Sequence, residues 1–286
     1  MLSLTNLSTT ETFSNIDETF FNCVNPLDKS FVDLLTAEEI SSNVSLWTDK
    51  SFKSFKSLNK LKIEYEDSRE ILSEDIVTMI SQCSCLKELS LPYSSLSDDL
   101  LTVISSDNHV PLKTIKIEAY SDSKPLPRIS DEAWFTLENH SPNLNLVLNS
   151  YLSEEDDYDA LLVTAVPVTH LFLNGSPPET IVRRIGENCP RLVELVVSSY
   201  NFGTIDQALI STAKGCPNLS AVGLGDCEIT CSGLVEFVGL CKERLQILYI
   251  WETSLIEDTN FNISEATTQV SSLLGRKWMP ESIPPW

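Results

Sequence analysis

The thirteen residues from Leu274 to Trp286 (Leu-Gly-Arg-Lys-Trp-Met-Pro-Glu-Ser-Ile-Pro-Pro-Trp) carry the densest recognition chemistry in this 286-residue sequence. Pro280, Pro284 and Pro285 lack a backbone donor and fix their own φ, so beyond Gly275 the sequence predicts a stiff extended segment rather than another helix. Trp278, Met279, Ile283 and Trp286 set large apolar groups along that segment, and Trp286 joins an indole to the terminal carboxylate. The pairing suits a deep, partly polar pocket on another molecule. It suits equally a tail that folds back over the open end of its own core. The residues alone leave both readings open.

Other reactive residue types are present without a pattern that would make them work. Eight cysteines invite a metal or disulfide reading, but Cys83, Cys189, Cys216 and Cys241 each fall at the end of an apolar-periodic stretch just before the next strand pattern. A small, soft side chain packs well there. Cys227 and Cys231 form a C-x-x-x-C pair with no second pair or histidine at zinc-site spacing, and Cys23 and Cys85 are isolated. None of the three histidines, His109, His140 and His170, has a neighbouring nucleophile motif. His170, in Val-Thr-His-Leu-Phe-Leu, is expected either on the open face of a sheet or in a core hydrogen bond. The phosphate-binding, dinucleotide-binding, serine-hydrolase and H-E-x-x-H motifs are missing from the sequence. The chain therefore reads as a non-enzyme, with no catalytic residue, cofactor site or metal site assigned.

The charge narrows the partners. Forty-one acidic residues against twenty basic ones give a formal net charge of −21. Such a surface repels phosphate backbones and anionic lipid, so nucleic acid and membrane are not expected as partners, and basic protein surfaces are favoured. The same charge also serves solubility alone. The start of the sequence has no basic segment followed by an apolar run of signal-peptide length, and no stretch approaches a membrane span, which predicts an intracellular protein.

What must position the tail is a repeat. Apolar-x-x-apolar-x-apolar recurs as Leu58/Leu61/Ile63, Leu86/Leu89/Leu91, Leu112/Ile115/Ile117, Val168/Leu171/Leu173, Leu192/Leu195/Val197, Leu219/Val222/Leu224 and Leu245/Leu248/Ile250, with a weaker copy at Leu144/Leu146/Leu148. Most copies begin 24 to 28 residues apart, the period of leucine-rich repeats. Between them lie stretches of helical period: Ile76/Met79/Ile80/Cys83, Ile181/Val182/Ile185/Cys189 and Leu234/Phe237/Val238/Cys241. Ser73 and Ser97, each followed by two acids, are placed to start helices.

A lone strand and helix cannot bury their apolar faces. The units must therefore stack into an α/β leucine-rich-repeat solenoid, a curved parallel sheet with outer helices, ending in an extended C-terminal tail. Ile263, Thr267, Val270 and Leu274 predict a closing helix stopped by Gly275. The organisation expected is an irregular N-terminus over 1–57, with a degraded repeat around Ile16–Phe21 and Phe31–Leu35, a solenoid over 58–275 and a tail over 276–286. Tyr120 to Ser130, with Pro125 and Pro127, and the acidic run Ser153 to Asp159 read as loops interrupting the period.

Several of these segments resemble a known family. Cys189 to Val197, Asn218 to Ser232, Val235 to Val238 and the tail from Leu274 to Trp286 look like the C-terminal half of the F-box and leucine-rich-repeat proteins that recognise cryptochromes. A looser likeness extends back through His140–Val147 to Leu86–Leu91. The resemblance implies a substrate-recognition adaptor of an SCF-type ubiquitin ligase, acting in nucleus and cytoplasm, that promotes cryptochrome ubiquitination and degradation in the circadian clock. It implies that the repeats dock the cryptochrome while Trp286 enters the pocket that otherwise holds flavin, supported by Ile283, Pro284 and Pro285 with Trp278 and Met279 at the tail base. The family pattern is departed from in one respect: no helical, Leu-Pro-rich F-box segment is recognisable before Leu58. Contact with the ligase core is thus expected only if an F-box is supplied upstream. The alternatives are a competitor that binds cryptochrome without delivering it, or a generic repeat scaffold.

Overall fold

The computed structural model describes residues 58–63, 73–121, 125–199 and 203–280, and the backbone of 33–35. Its elements belong to a single unit. In chain order they are β1 (Asp33–Leu35), β2 (Lys60–Ile63), α1 (Ser73–Ile80), β3 (Glu88–Pro92), α2 (Asp98–Ile104), β4 (Thr114–Ala119), α3 (Asp131–His140), β5 (Asn145–Ser150), α4 (Tyr158–Leu161) and β6 (Val168–Leu173). There follow α5 (Glu179–Asn188), β7 (Glu194–Ser198), α6 (Asp206–Gly215), β8 (Ala221–Gly225), β9 (Glu228–Thr230), α7 (Cys231–Cys241), β10 (Ile247–Trp251), β11 (Ser254–Ile256) and α8 (Ile263–Leu274).

Nine strands form one sheet in the order β1-β2-β3-β4-β5-β6-β7-β8-β10, and every pairing is parallel. Each apolar template supplies one strand, because alternate residues point to the same face and the templates are in register. Leu91, Ile117, Leu148, Leu171, Leu195, Val222 and Leu248 line up across the sheet and are all buried. The helices place Ile76, Met79, Leu101, Trp134, Ile185, Leu209, Leu234 and Phe237 in the same core. The chain is an α/β leucine-rich-repeat solenoid.

Two expectations for the helix ends appear directly. The Ser97 hydroxyl accepts from the Leu100 amide at the start of α2, and Gly275 closes α8 in the left-handed region at φ 66°. Stacking from repeat to repeat uses polar side chains at recurring positions. Asp98 accepts from the Ser130 amide, Asp206 from the amide and hydroxyl of Thr230, and Asp258 from those of Ser232, each carboxylate holding the next or preceding turn. Helices α5 and α6 touch through backbone, since a Cβ on Gly215 would sit 1.6 Å from the Gly186 carbonyl oxygen.

Three features differ from the sequence reading. The acidic run is not an open loop: Glu155–Asp157 forms a 3-10 turn leading into α4. The cause is Tyr158, buried, whose hydroxyl donates to the Leu152 carbonyl and accepts from Ser150 Oγ, pulling the acids into a helical turn. Gly223 and Gly225, of a residue type that usually interrupts strands, lie inside β8. Finally, β9 and β11 pair with each other as a second, two-stranded sheet just beyond the main one. The degraded repeat near Phe31–Leu35 coincides with β1, which pairs with β2. Ile16–Phe21 and Cys23 lie outside the described residues.

Candidate functional site

The sheet has one face on the helices and one that no described helix covers. On that second face, register brings together Lys60, Glu88 and Thr114, then Lys62, Ser90, Lys116, Val147, His170, Glu194, Ala221 and Ile247, then Pro92, Glu118, Asn149, Phe172, Val196, Gly223 and Tyr249. The chemistry changes along it. Toward β2–β4 it is ionic: Lys60 pairs with Glu88 at 3.1 Å and Lys116 with Glu118 at 3.1 Å, while the Tyr120 hydroxyl donates to Glu118 at 2.7 Å. Burial alone would raise the Glu118 carboxyl, but the Lys116 charge and the Tyr120 and Lys116 hydrogen bonds outweigh it and hold it below its usual value. Tyr120 stacks on Tyr151 with ring centroids 5.0 Å apart.

Toward β6–β10 the face is apolar. Phe172, Val196 and Ala221 are buried, and the indole of Trp251 lies across Gly223 and Gly225. A Cβ on Gly225 would fall 2.5 Å from the Trp251 ring, so the flat approach of the indole requires glycine there. In this setting sit His170 and Glu194. Their nearest atoms are 3.9 Å apart, too far for a hydrogen bond. Burial pushes Glu194 up to about 7 and His170 down to about 4, so at neutral pH the two do not form an established ion pair despite their proximity. Glu194 is 3% exposed and its Oε1 has no hydrogen-bond partner.

The remaining histidines are structural. His109 Nε2 lies 2.9 Å from the Ile80 carbonyl and its Nδ1 3.2 Å from Ser106 Oγ, and His140 Nε2 lies 3.1 Å from the His109 carbonyl, so the two rings join successive repeats. Cys83, Cys189, Cys216 and Cys241 are all buried, and burial raises their thiols to between about 11 and about 12. They are packing residues, with thiolates disfavoured.

The tail base is built by the end of α8. Asn262 caps that helix in a reciprocal capping box with Glu265. At its other end the left-handed Gly275 reverses the chain, with the Gly275 and Arg276 amides donating back to Ser272 and Ser271. The reversal lays Arg276–Met279 against β10, the last strand of the sheet. Arg276 donates from its guanidinium to the Gln246 carbonyl, and the Trp278 indole donates to the Leu248 carbonyl at 2.9 Å. Ser271 Oγ clasps the Trp278 backbone, accepting from its amide and donating to its carbonyl, each at 3.0 Å. Side chains thus occupy two carbonyls of an edge that would otherwise be open to strand addition.

The structure separates the six tail residues singled out in the sequence. Trp278 is 7% exposed and belongs to the hydrophobic core, whereas Met279, next to it, is 56% exposed. Ile283, Pro284, Pro285 and Trp286 lie outside the described residues. The sequence did not point to Ser271, Leu248 and Arg276 as the groups that fix the tail base. The repeat template could have found Leu248, whose position in the last strand is the one an end cap must reach.

Among the described residues, no group of three or more His, Cys, Asp or Glu side chains is arranged to hold a metal ion, and no helix is long and apolar enough to cross a membrane. The apolar side chains Val147, Phe172, Val196 and Ala221 of the second sheet face are buried, whereas Arg276, Lys277 and Met279 at the tail base are exposed and open to another macromolecule.

Comparison with known proteins places the chain beside a named group. It is 36% identical over 280 residues to F-box/LRR-repeat protein 21 of Mus musculus, covering 96% of this chain and 64% of that protein. It is 38% identical over 233 residues to F-box/LRR-repeat protein 21 of Ovis aries, covering 80% of this chain and 53% of that protein. The chain therefore spans less than two thirds of the length of these relatives. No protein-family model matches it. Solved structures similar to it include an internalin from Listeria monocytogenes, at 16% identity over 77% of this chain and 53% of that one, with a TM-score of 0.41.

Proposed function

We propose, from the homology of this chain to the F-box/LRR-repeat proteins, that it is the substrate-recognition part of an SCF-type ubiquitin-ligase adaptor. In this reading its substrate is a cryptochrome, held by the repeats and by the C-terminal tail, and ubiquitinated and degraded as a consequence. The observation that carries the proposal is homology at 36% identity over 96% of the chain. A generic repeat scaffold would share the strand templates and little else.

The architecture supports a division of labour in this mechanism. The repeats supply contact area. The tail supplies an anchor: a segment that leaves a fixed base and is stiffened by Pro284 and Pro285 loses little conformational freedom when Ile283 and Trp286 are buried, and a buried tryptophan is among the strongest contact residues known. Trp278 acts inside the chain, holding the base from which the tail departs, while Met279 is free to contribute to the contact. The tail end occupies the flavin pocket of the cryptochrome, so flavin and this chain compete. The site of action is nucleus and cytoplasm.

The ligase half of the proposal is tested separately. Cryptochrome, the chain and purified SCF components are mixed and ubiquitin transfer is followed, with the chain alone and with the chain fused behind an F-box. Transfer in either arm, dependent on the tail, supports an adaptor. Tight cryptochrome binding with no transfer in either arm would identify a competitor that shields its partner.

A further inference from the structure

We infer that the cavity at the base of the tail is a peptide site that takes an acidic side chain, with an apolar neighbour, from an extended segment of a partner protein. The cavity measures about 210 Å³ and is bounded on one side by Gln246–Ile250 of the edge strand and on the other by Arg276–Met279. Neither wall contains an aspartate or glutamate, while the second brings two cations side by side in a chain of net charge −21. Arg276 spends part of its donor fork on the Gln246 carbonyl. Lys277 is exposed and makes no ion pair or hydrogen bond among the described residues. The site therefore carries positive charge in a strongly acidic chain.

Its apolar lining defines the rest of the ligand. Met279 is 56% exposed, and Ile247 on the uncovered face is half-buried, so an acid seated on Lys277 would carry its neighbour onto one of them. An unbranched thioether adapts to such a partner at little cost. A carboxylate side chain next to an aliphatic one satisfies both parts. A second copy of this chain does not, because the symmetric contact would set Arg276 and Lys277 against their own duplicates. The chain's own tail is also a poor occupant. Pro284 and Pro285 offer no backbone donors for pairing along the edge strand.

The inference needs no cryptochrome and is tested without it. The full-length chain, isotopically labelled, is titrated with acetyl-Leu-Glu-Leu-Glu-Leu-amide, with the same peptide carrying glutamine for glutamate, and with inorganic phosphate. The glutamate peptide is expected to give saturable amide shifts confined to Gln246–Ile250 and Arg276–Met279, weakening as salt is raised, and the glutamine peptide to give none. Lys277→Glu should weaken binding roughly fivefold, the scale of reversing one exposed charge, whereas Lys242→Glu at the end of α7 should leave it unchanged. Binding should persist when Ser282–Trp286 is removed. Equal binding of the glutamine peptide, indifference to Lys277→Glu, or phosphate alone binding as tightly as the peptide would overturn the inference. So would binding that appears only after the tail is removed, since the cavity would then belong to the tail. Because the truncated chain is expected to bind this peptide while losing cryptochrome, the two proposals can fail independently.

Discussion

The two halves of the uncovered sheet face are built from the same strand template and solve the same problem differently. Along β2–β4 the outward positions are filled by Lys60, Glu88, Lys116 and Glu118, which pair with one another at 3.1 Å. Along β6–β10 the equivalent register carries Phe172, Val196, Gly223 and Tyr249, with Trp251 flattened over Gly223 and over Gly225, two residues further along β8. Paired charges on a partly wet surface contribute little and keep a face soluble. A broad apolar surface is justified only if it is covered. The contrast teaches that the inward template, which fixes the fold, says nothing of use, whereas the outward residues divide one continuous sheet into an ionic, partly wet half and an apolar half whose Phe172, Val196 and Trp251 are buried. The apolar half is the one that ends at the tail.

That contrast can be broken or sharpened by substitution. The largest effect is expected where the apolar half is tied down: Trp278→Ala removes a core indole and orphans the Leu248 carbonyl, and should lower unfolding free energy by about 3–4 kcal/mol in denaturant titration. If Trp278 instead served only a partner, stability would not change. Next comes Gly225→Val, which drives a side chain into the Trp251 ring and should cost about 2–3 kcal/mol while shifting tryptophan emission. The matching change in the ionic half, Ser90→Val, has no such ring above it and should cost under about 1 kcal/mol.

Glu194→Gln tests the buried carboxyl. Its folded pKa of about 7 lies above the ordinary carboxylate value, so the folded state favours its protonated form, and stability falls as pH rises from the unfolded value through about 7. The substitution should therefore stabilise the chain at pH 8, by on the order of 2 kcal/mol, and make little difference at pH 4.5. His170 shifts the other way, down to about 4, and withdraws stability as pH falls below its ordinary value of about 6.5. Thermal unfolding of Glu194→Gln and His170→Asn across pH 4 to 8 separates the two. The smallest effect belongs to the ionic half: Lys116→Ala should cost no more than about 1 kcal/mol, diminishing in salt.

How much of this was legible follows from which interactions are local. The strand templates are local and strict, and each copy proved to be a strand, including the weak one at Leu144/Leu146/Leu148, now β5. Its neighbour β6 joins it across a register shift at Leu146/Val147, where the Thr169 hydroxyl reaches the Leu146 carbonyl, which accounts for the imperfect spacing. The short strands β9 and β11 were missed because three residues carry no period. The turns before them do repeat: Asp226 and Glu252, 26 residues apart, both take positive φ, a signal hidden because neither is glycine. Trp278 could not be placed from the sequence, since nothing near it marks it as buried. Its partner Leu248 is 30 residues away. Glu194 was likewise passed over as an ordinary strand acid, because a template shows which face a residue occupies and not how dry that face is.

The most direct test of the account is binding of this chain, intact and lacking Ser282–Trp286, to flavin-free and flavin-loaded cryptochrome, with thermal unfolding of both forms alongside. The account predicts tight binding to the flavin-free partner, weakened by flavin and lost on truncation, with both forms unfolding at the same temperature. An intact chain that does not bind, or a truncation that lowers the unfolding temperature while leaving affinity unchanged, would contradict it.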